Sequence, residues 1–536
     1  MPTGRRALAE ALESRCLRAA TLPEVFGGGG FDNVERVIEL RDGSKVVTGL
    51  FSGSVDFDQT GGTAVLTARG DTDIYVASYA TDGSLNWVTQ IGGDYHAKEM
   101  SQYGKRDIQL NQARFARYVG RVSGQPRLAG EYVNDIARDD AGNVYLVGSF
   151  RSTITAGSET LTANADYTSS YYDGLVLKIS TTGQVSWAQQ IGGGFDDDAM
   201  SVGVDRYGAA YVGGYFSREA DIGGELPKNP LLKTDGRDGG YVIRLTTDGD
   251  LAWAYSFDSN SVGQDERNAV NDIAVTRSGE VYFAGSFAAD ADFASGPNAE
   301  YVLKANDKTD SVVGKLNRKG RMVWAESTGS DDYDANTNIA LDASGHVYTL
   351  GYFSEEMDVN PLADVTTIFT PEVEDGDNHP EFSDLLVSKF TSDGTPVWQA
   401  QLGSAYIETA ADLTVAADGA VYVTGSYFYE MDLAPGKTKY VVESVRTNDG
   451  SIKDKNTRFG RNESYDWFVS KLSPNGKFVT GKSLGHADDD YAGGLTVFAD
   501  GSLAVYGRIV DSDIPDRDDR QEQAWIYEMS PNLKML

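Results

Sequence analysis

The chain has a single cysteine among its 536 residues, Cys16, and only four histidines. One cysteine cannot form a disulfide or a cysteine metal site within the chain, although this leaves the cellular compartment open. The histidines show no metal-binding spacing such as H-E-x-x-H, and no G-x-S-x-G nucleophile motif is present. No apolar run approaches the length of a membrane span. These absences leave the sequence without a recognisable catalytic or membrane-spanning motif.

Positive charge is also scarce, since 47 Lys and Arg residues stand against 80 Asp and Glu residues and give a net charge of −33. A surface of this sign repels nucleic-acid phosphates, so we expect no nucleic-acid partner. Acidity of this degree is typical of soluble proteins or of proteins that prefer cations. The hydrophobic fraction of 40%, with 29 Tyr and 21 Phe, is ample for a buried core.

A pair of glycines six residues apart recurs along the whole chain, and a Tyr lies midway between them in five copies. Internal repeats of this kind indicate a stacked or circular array. We interpret the first glycine of each pair as a positive-φ turn and the second as a site of close backbone approach. The pairs are Gly43/Gly49, Gly142/Gly148, Gly208/Gly214, Gly279/Gly285, Gly345/Gly351, Gly419/Gly425 and Gly501/Gly507.

A second signature follows each of the first six copies. An Asp opens a short alternating strand, a Lys or Arg comes near its end in five copies, and a Gly then precedes a Trp by four residues. Asp173, Lys178, Gly183 and Trp187 show the signature whole, whereas Thr480 takes the Trp position in the sixth copy. A large ring that recurs at one position of an outer strand favours packing between repeats over a ligand platform.

Each repeat contains four short alternating runs, which indicate four β-strands. Four strands in each of seven repeats predict an all-β protein, a seven-bladed β-propeller of four-stranded antiparallel blades. The last repeat lacks its final strand, whereas residues 21–28 match the end of a repeat. We therefore expect the N-terminal strand to complete the last blade and close the ring. The predicted organisation is an N-terminal extension or export segment at 1–20 and a monomeric propeller domain at 21–536.

The repeat resembles the bacterial β-propeller repeat of the SBBP type. The resemblance is carried by D-x-x-G-x-V-Y-x-x-G-x-F at 139–150 and 342–353, by D-x-x-V-x-K at 173–178 and by W-A-x-x-x-G-G at 187–193. It covers residues 21–536 and implies the propeller fold, but such repeats occur in exported bacterial proteins that share no activity. Residues 12–15 also resemble the LExR core that heads many exported bacterial proteins, which implies an extracellular or cell-surface location.

The variable segments are predicted to share one face of the disc. In an antiparallel blade the connections between second and third strands, and those between blades, emerge on the same side. Binding sites often occupy loops held by a rigid scaffold, although loop drift is the alternative explanation. On this face Tyr167, Tyr171 and Tyr172 would suit sugar stacking. The long connections between second and third strands are 151–172, 217–237, 354–383 and 429–465.

A basic insertion follows the first repeat, between Gly93 and Val133. We favour a clamp of this segment onto nearby acidic loops over the binding of an anionic uronate or sulfate group. Its cations are Lys98, Lys105, Arg106, Arg114, Arg117, Arg121 and Arg127.

Acidic clusters recur at the blade junctions of the same face. Calcium takes several oxygen ligands from flexible carboxylates and carbonyls, which such clusters would supply. None of the clusters fits the EF-hand spacing, so turn chemistry and a solvated rim are the alternative. The candidate calcium ligands are Asp196, Asp198, Asp332, Asp334, Asp488 and Asp490.

The sequence thus predicts a non-catalytic, exported or cell-surface scaffold that binds a protein or glycan partner through its long-loop face. One alternative is a carbohydrate-active hydrolase or lyase with its site at the central mouth, because 80 acids always offer carboxylate pairs. The other alternative is a structural module stabilised by calcium.

Overall fold

The regular structure of the protein consists of β-strands. The computed structural model describes residues 22, 25–26, 32–95, 130–164, 171–223, 231–259, 267–294, 301–358, 368–369, 383–404, 406, 408–434, 439–445, 464–485, 490–511 and 521–536. These residues form strands, bridges, turns and bends, and no helix occurs among them.

The described residues form 36 strands. Those of the N-terminal half are β1 (Val25–Phe26), β2 (Arg36–Glu39), β3 (Lys45–Phe51), β4 (Ser54–Asp56), β5 (Val65–Thr67), β6 (Asp73–Tyr79), β7 (Leu85–Gly93), β8 (Glu131–Arg138), β9 (Val144–Phe150), β10 (Thr153–Ala156), β11 (Glu159–Thr162), β12 (Asp173–Ile179), β13 (Val185–Gly192), β14 (Asp198–Val204), β15 (Ala210–Ile222), β16 (Leu232–Leu245) and β17 (Leu251–Ser259). Those of the C-terminal half are β18 (Ala269–Val275), β19 (Val281–Asp292), β20 (Val302–Leu316), β21 (Met322–Thr328), β22 (Ala335–Leu341), β23 (Val347–Phe353), β24 (Met357–Asp358), β25 (Ile368–Phe369), β26 (Asp384–Phe390), β27 (Pro396–Leu402), β28 (Glu408–Val415), β29 (Val421–Phe428), β30 (Glu430–Asp432), β31 (Val441–Glu443), β32 (Tyr465–Leu472), β33 (Phe478–Leu484), β34 (Tyr491–Val497), β35 (Leu503–Asp511) and β36 (Gln521–Met529).

The strands pair antiparallel in consecutive sets of four. The N-terminal strand β1 pairs with β36 and so supplies the fourth strand of the last set. The first strands of neighbouring sets contact one another, and β34 of the last set also contacts β2 of the first. The protein therefore has an all-β, propeller-like fold. In chain order, sets 1 to 7 are β2-β3-β6-β7, β8-β9-β12-β13, β14-β15-β16-β17, β18-β19-β20-β21, β22-β23-β26-β27, β28-β29-β32-β33 and β34-β35-β36-β1.

The core lies between neighbouring sets, and each set buries both of its faces. Successive residues of a strand point to opposite faces of the sheet. In β12, Leu175 and Leu177 pack against residues of set 1, whereas Val176 between them packs against residues of set 3. This two-sided burial explains why the inner strands are apolar almost throughout.

The two glycines of each pair have the roles predicted from the sequence. Gly142 takes a φ of +90° in the turn between the first and second strands. Gly148 lies against the first strand, where a β-bulge turns the carbonyl of Tyr132 towards it. A Cβ at Gly148 would lie 1.9 Å from that oxygen, so no larger residue fits without movement of the backbone. The close-approach prediction is thereby confirmed.

The recurring tryptophan packs between sets, as predicted. The Trp324 Nε1–H of set 4 donates to the Ser392 carbonyl in the turn between the third and fourth strands of set 5, at 3.2 Å. A Cβ on Gly394 of the same turn would lie 2.9 Å from the indole ring. Within set 4, the Tyr282 ring lies 6.1 Å from the indole, and Lys315 lies 4.9 Å from the Tyr282 ring. The recurring lysine, tyrosine and tryptophan of one set and the turn glycine of the next set therefore form one packing cluster between the two sets, which we call the joint.

The described parts of the long connections between second and third strands are β-hairpins, and not the loops predicted from the sequence. In set 2, β10 and β11 form such a hairpin, and β10 pairs with the end of β7 in set 1. β15 pairs in the same way with β13, and β19 with β17. Asp292 organises one hairpin turn, because its Oδ1 accepts the main-chain N–H groups of Ala294 and Tyr301. Each of these hairpins fastens its set to the preceding one.

We expect Trp324→Ala to lower the free energy of unfolding by about 3–5 kcal/mol, because it removes a buried ring and leaves Gly394 without its packing partner. Val323→Ala is the matched control, since the neighbouring side chain is 49% exposed and its loss should change stability by less than about 0.5 kcal/mol. Urea unfolding followed by circular dichroism measures both. Equal losses would contradict the assignment of Trp324 to the joint between sets.

Candidate functional site: buried carboxylates between the strand sets

One polar position near the start of each set is buried throughout. It lies seventeen residues before the second glycine of each pair, and its side chain is at most 2% exposed. The residue is an acid in six sets and an asparagine in set 4, and we call the six acids the first-strand acids. The seven residues are Asp32, Glu131, Asp197, Asn268, Asp334, Glu408 and Asp490.

Two of the first-strand acids, Asp197 and Asp334, accept main-chain N–H groups from both sides of a junction. Asp197 Oδ2 accepts the N–H of Gly193 at the end of set 2, at 2.7 Å, and Oδ1 accepts the N–H of Ser217 in set 3, at 3.0 Å. Asp334 repeats the pattern with the N–H groups of Ser330 and Ser354, at 2.5 and 3.2 Å. A short side chain with two acceptor oxygens thus satisfies two buried donors where one set passes into the next.

A second buried acid lies in the third strand of five sets, fourteen residues before the recurring tryptophan position. Asp173 Oδ2 accepts the side-chain amide of Gln190 at 2.5 Å and the main-chain N–H of Asn164 at 3.0 Å. Gly192 lies beside this carboxyl group, and a Cβ there would come within 2.3 Å of its carbon. The first glycine of the W-A-x-x-x-G-G ending is therefore needed to make room for the acid. These third-strand acids are Asp73, Asp173, Asp310, Asp384 and Asp466.

Burial raises the pKa of several of these carboxyl groups, because the charged form loses its hydration. Desolvation is the main cause in each case, and it raises the pKa of Glu131 to about 9 and that of Asp310 to about 6. The pKa of Asp197 also lies well above its usual range, from burial first and the charge of Asp173 second. Burial and the charge of Asp310 likewise raise the pKa of Asp334.

The candidate calcium ligands do not form one repeated site. Asp332 Oδ1 lies 2.5 Å from Lys308 Nζ. Asp198 Oδ1 accepts the side-chain amide of Asn134, and Asp196 Oδ1 accepts the N–H of Tyr172. Among the described residues, no three His, Cys, Asp or Glu side chains are grouped so as to hold a metal ion. Asp488 lies outside the described residues, and the calcium hypothesis stays a prediction.

The repeat register explains why the candidate ligands differ among themselves. Asp334 and Asp490 are first-strand acids, whereas their equivalent in set 3 is Asp197 and not the predicted Asp196 or Asp198. Runs of three aspartates conceal this offset. Counting back from the second glycine of each pair would have identified Asp197 as the equivalent of Asp334 and Asp490.

A belt of polar side chains joins the first strands of neighbouring sets, and the sequence motifs did not predict it. Arg36 Nε donates to Asp135 Oδ1 at 3.3 Å, and Ser201 Oγ lies 2.9 Å from Asp135 Oδ2 and 2.5 Å from Asp272 Oδ1. In sets 3, 5 and 7 a β-bulge interrupts the pairing of the first strand with the second. The main-chain N–H of the residue after each bulge donates to an aspartate on the first strand of the preceding set. These aspartates and their donors are Asp135 with Val202, Asp272 with Ile339, and Asp412 with Leu495. An acid four residues after the first-strand position in sets 2, 4 and 6 was the available signal.

Of the tyrosines proposed for sugar stacking, Tyr172 is buried, which corrects the prediction that it is exposed. Its ring packs against Tyr132 at 5.4 Å and under the Arg151 guanidinium at 4.4 Å. Tyr171 lies 5.7 Å from the Phe195 ring. Tyr167 and the seven cations of the basic insertion lie outside the described residues.

One of the four histidines, His346, lies among the described residues. His346 Nδ1 lies 2.8 Å from Asp342 Oδ2 in the turn between the first and second strands of set 5. The other three histidines, His96, His379 and His486, are outside the described residues. No described segment forms a helix with the length and hydropathy of a membrane span.

Comparisons with known proteins give weak similarity. No family model matches the chain, and no curated protein matches it, so the resemblance to the SBBP-type repeat stays a prediction. The chain is similar to leech intramolecular trans-sialidase complexed with 2,7-anhydro-Neu5Ac, with 7% identity over 97% of this chain and 72% of that chain and a TM-score of 0.37. It is also similar to Pseudomonas brassicacearum lignostilbene dioxygenase (12% identity, 94% and 92% covered, TM-score 0.32) and to the GH43 protein BlXynB from Bacillus licheniformis (10%, 96% and 96%, 0.26). Similarity this low carries no functional argument, and the description of the fold rests on the strand pairing.

We expect Asp334→Asn to lower the free energy of unfolding by about 1–3 kcal/mol, because an amide has one acceptor oxygen for the two main-chain donors. The loss of unfolding free energy should be the same with calcium and with EDTA, since the carboxylate accepts main-chain N–H groups and does not bind a metal ion. Asp331→Asn, at an exposed position of the same cluster, is the control and should have little effect. A loss at Asp334 that occurs only with calcium present would instead make it a metal ligand.

Proposed function

We propose that the chain is a seven-bladed β-propeller closed by its N-terminal strand, and that it acts as a non-catalytic, exported or cell-surface binding scaffold. The pairing of β1 with β36 and the contact of β34 with β2 support the closed ring. On this proposal each strand set is one blade. The domain acts as a monomer, because a closed ring leaves no open end on which further repeats could stack.

The observation that carries the binding function is the display of the hairpins that connect second and third strands. In each hairpin, neighbouring residues point alternately towards the core and towards solvent. Leu66, Leu303 and Val442 pack against the core, whereas Val65, Val302 and Val441 beside them are 47–52% exposed. Because the inward residues anchor the hairpins, the outward residues have fixed positions, and a rigid surface loses little entropy on binding a partner.

The repeated aromatic and acidic side chains support a scaffold over an enzyme. The tryptophans and tyrosines of the repeat pack between sets. The carboxyl groups with raised pKa are buried at the junctions, apart from the partly exposed Glu326 on β21. A carbohydrate-active enzyme needs carboxyl groups that a substrate can reach. No observation on the described residues favours that alternative.

A protein or glycan partner is the expected ligand. The half-exposed valines would contact apolar surface of either, and Tyr440 offers a ring that is 43% exposed next to Phe478, at 4.9 Å between centroids. Aromatic rings with one open face are typical of interfaces because they combine a large apolar area with few rotatable bonds. A nucleic-acid partner is disfavoured by the net charge of −33.

We expect a variant with Val65→Glu, Val302→Glu and Val441→Glu to lose at least tenfold in affinity for whichever ligand the wild type selects from an array of glycans and extracellular matrix proteins. The matched control carries Val323→Glu, Val397→Glu and Val479→Glu on the fourth strands, where the side chains are 49–50% exposed. This control changes charge and exposed apolar area equally, so it should bind like the wild type. Equal binding by both variants, or no ligand for the wild type, would overturn the proposal.

A further inference from the structure

We propose that the junction between sets 1 and 2 contains a binding pocket for a neutral, hydroxylated ring, a single pyranose unit of a sugar. The pocket has a volume of about 510 Å³, within the range of small-molecule sites. It lies at the end of the sets that carries the turns between first and second strands and between third and fourth strands. The hairpins between second and third strands are at the opposite end, so this inference does not depend on the proposed binding function.

The pocket is present because set 1 lacks two large side chains that the repeat places at such a junction. In sets 2 to 6 a lysine or arginine on the third strand pairs with a tyrosine on the second strand. Its charged group lies 4.8–5.6 Å from the centre of the tyrosine ring. In set 1 the residues that pair in this register are Ser78 and Val46. Two short side chains therefore stand where the other sets have a long cation and a ring.

Set 2 shows how the two large side chains occupy the equivalent space. The tyrosine O–H of set 2 donates to the carbonyl of Gly208 at 2.9 Å, and Lys178 Nζ donates to the carbonyl of Thr247 at 3.0 Å. Both carbonyls belong to turns of set 3. The equivalent turn residues of set 2 are Gly142 and Thr181, and both line the pocket. The pocket thus occupies the space into which a tyrosine and a lysine of set 1 would extend.

Set 7 lacks the same pair but fills its junction in another way. Its residues at the tyrosine and lysine positions are Ala504 and Glu528, which pair in the same register. Lys45 of set 1 extends to this junction, where its Nζ lies 2.8 Å from Glu528 Oε1 and 4.0 Å from the centre of the Phe498 ring. Set 7 therefore takes a cation from the neighbouring set, whereas the space at the junction of sets 1 and 2 remains a pocket.

The pocket has an uncharged polar floor and an apolar wall. Ser44 and Ser78 line it and are 5% and 2% exposed, which places them at its floor. Asn86 Nδ2 donates to Ser78 Oγ at 3.3 Å, and a hydroxyl group that accepts one hydrogen bond can donate another to a ligand. Leu40 and Trp87 supply the apolar part of the lining. Small-molecule sites typically combine an apolar wall with a few polar groups in this way.

Trp87 packs between sets and lines the pocket as well. Its Nε1–H donates to the carbonyl of Thr181 at 3.0 Å, and a Cβ on Gly183 would lie 2.8 Å from the indole. In set 2 a tyrosine ring lies 6.1 Å from the equivalent indole, that of Trp187. Val46 cannot provide such a ring in set 1. The indole can therefore pack against the apolar C–H face of a pyranose, whose hydroxyl groups then reach the serines of the floor.

The other sets hold a cation at this place, but set 1 lacks the acid that accompanies it. In set 3, Arg244 Nη2 lies 3.8 Å from Asp205 Oδ2. In set 5, Lys389 Nζ lies 4.0 Å from Asp342 Oδ2. Both acids precede the first glycine of their pair by three residues, and the same position of set 1 is Leu40. An ammonium group would therefore find an apolar side chain where it needs a carboxylate.

The acids that line the pocket already have partners. Asp42 Oδ1 accepts the main-chain N–H and the hydroxyl group of Ser44, at 3.0 and 2.5 Å. Asp140 pairs with Arg41 and, at 2.8 Å, with Arg277. Because these charges are paired or hydrogen-bonded, a neutral ligand that both donates and accepts hydrogen bonds suits the pocket better than an ion.

The first test uses fluorine NMR of the full chain labelled with 5-fluorotryptophan, in which Trp87→Phe identifies the resonance of Trp87. The probes are the methyl glycosides of glucose, galactose, mannose, xylose and N-acetylglucosamine, at up to about 50 mM, because a ligand of this size binds with a Kd of about 1 mM. We expect at least one glycoside to shift the Trp87 resonance saturably and more than any other tryptophan resonance. If none of these glycosides does so, or if n-butylammonium does so in their place, the proposal is wrong.

The second test fills the pocket with the residues that the repeat has elsewhere. Val46→Tyr/Ser78→Lys should weaken binding of the glycoside at least tenfold, because the new ring and the new lysine occupy the space of the ligand. The urea midpoint of unfolding should not fall, since sets 2, 4, 5 and 6 accommodate the same pair. Ser344→Lys is the control, because it adds the same charge to an exposed turn of set 5 and should leave binding unchanged.

Two results separate this pocket from the hairpin surface. A folded Val46→Tyr/Ser78→Lys variant that binds the glycoside like the wild type would overturn the proposal, because the sugar would then bind elsewhere. The hairpin variant with Val65→Glu, Val302→Glu and Val441→Glu should retain the full shift of the Trp87 resonance. Loss of that shift in the folded hairpin variant would also contradict a site at the turn end of sets 1 and 2.

Discussion

The stacking of each fourth-strand tryptophan on a turn glycine of the next set is the contact on which the rest of the structure depends. The indole nitrogen donates to a carbonyl of that turn, as Trp187 does to Thr247 and Trp398 to Pro474, both at 3.0 Å. Because the glycine has no side chain, the ring lies flat on the backbone of the neighbouring set. A sheet with two apolar faces is stable only when both are covered, and this contact recurs between successive sets.

The polar groups at the junctions follow from the same packing. Each strand set buries both of its faces. Where one set passes into the next, main-chain N–H groups are therefore buried and cannot donate to water. The first-strand acids satisfy these donors, and the belt around Asp135, Asp272 and Asp412 satisfies those freed by the bulges. The first-strand acids therefore lie out of water, and burial raises the pKa of Glu131, Asp197 and Asp334.

The hairpins between second and third strands combine two roles. Their inner residues and their pairing with the preceding set make them part of the scaffold, as the pairing of β10 with β7 shows. Their outer residues are free of packing constraints and remain half exposed. A surface of this kind can vary in sequence while its position stays fixed, which is what the proposed binding function requires.

The repeat itself determined the number of strands per unit, the roles of the paired glycines and the packing role of the tryptophan. These features depend on local spacing and on residues such as Gly148 and Trp324, whose geometry permits few alternatives. The tertiary structure decided which donors each acid accepts, because Asp196, Asp197 and Asp198 are adjacent and identical residues whose side chains point in different directions from the backbone. It also decided that the long connections are hairpins and that Tyr172 is covered, since both depend on contacts between sets that no single repeat contains. A strand pattern fixes which residues share a face, whereas the neighbour that covers the face is set only when the strand sets pack together.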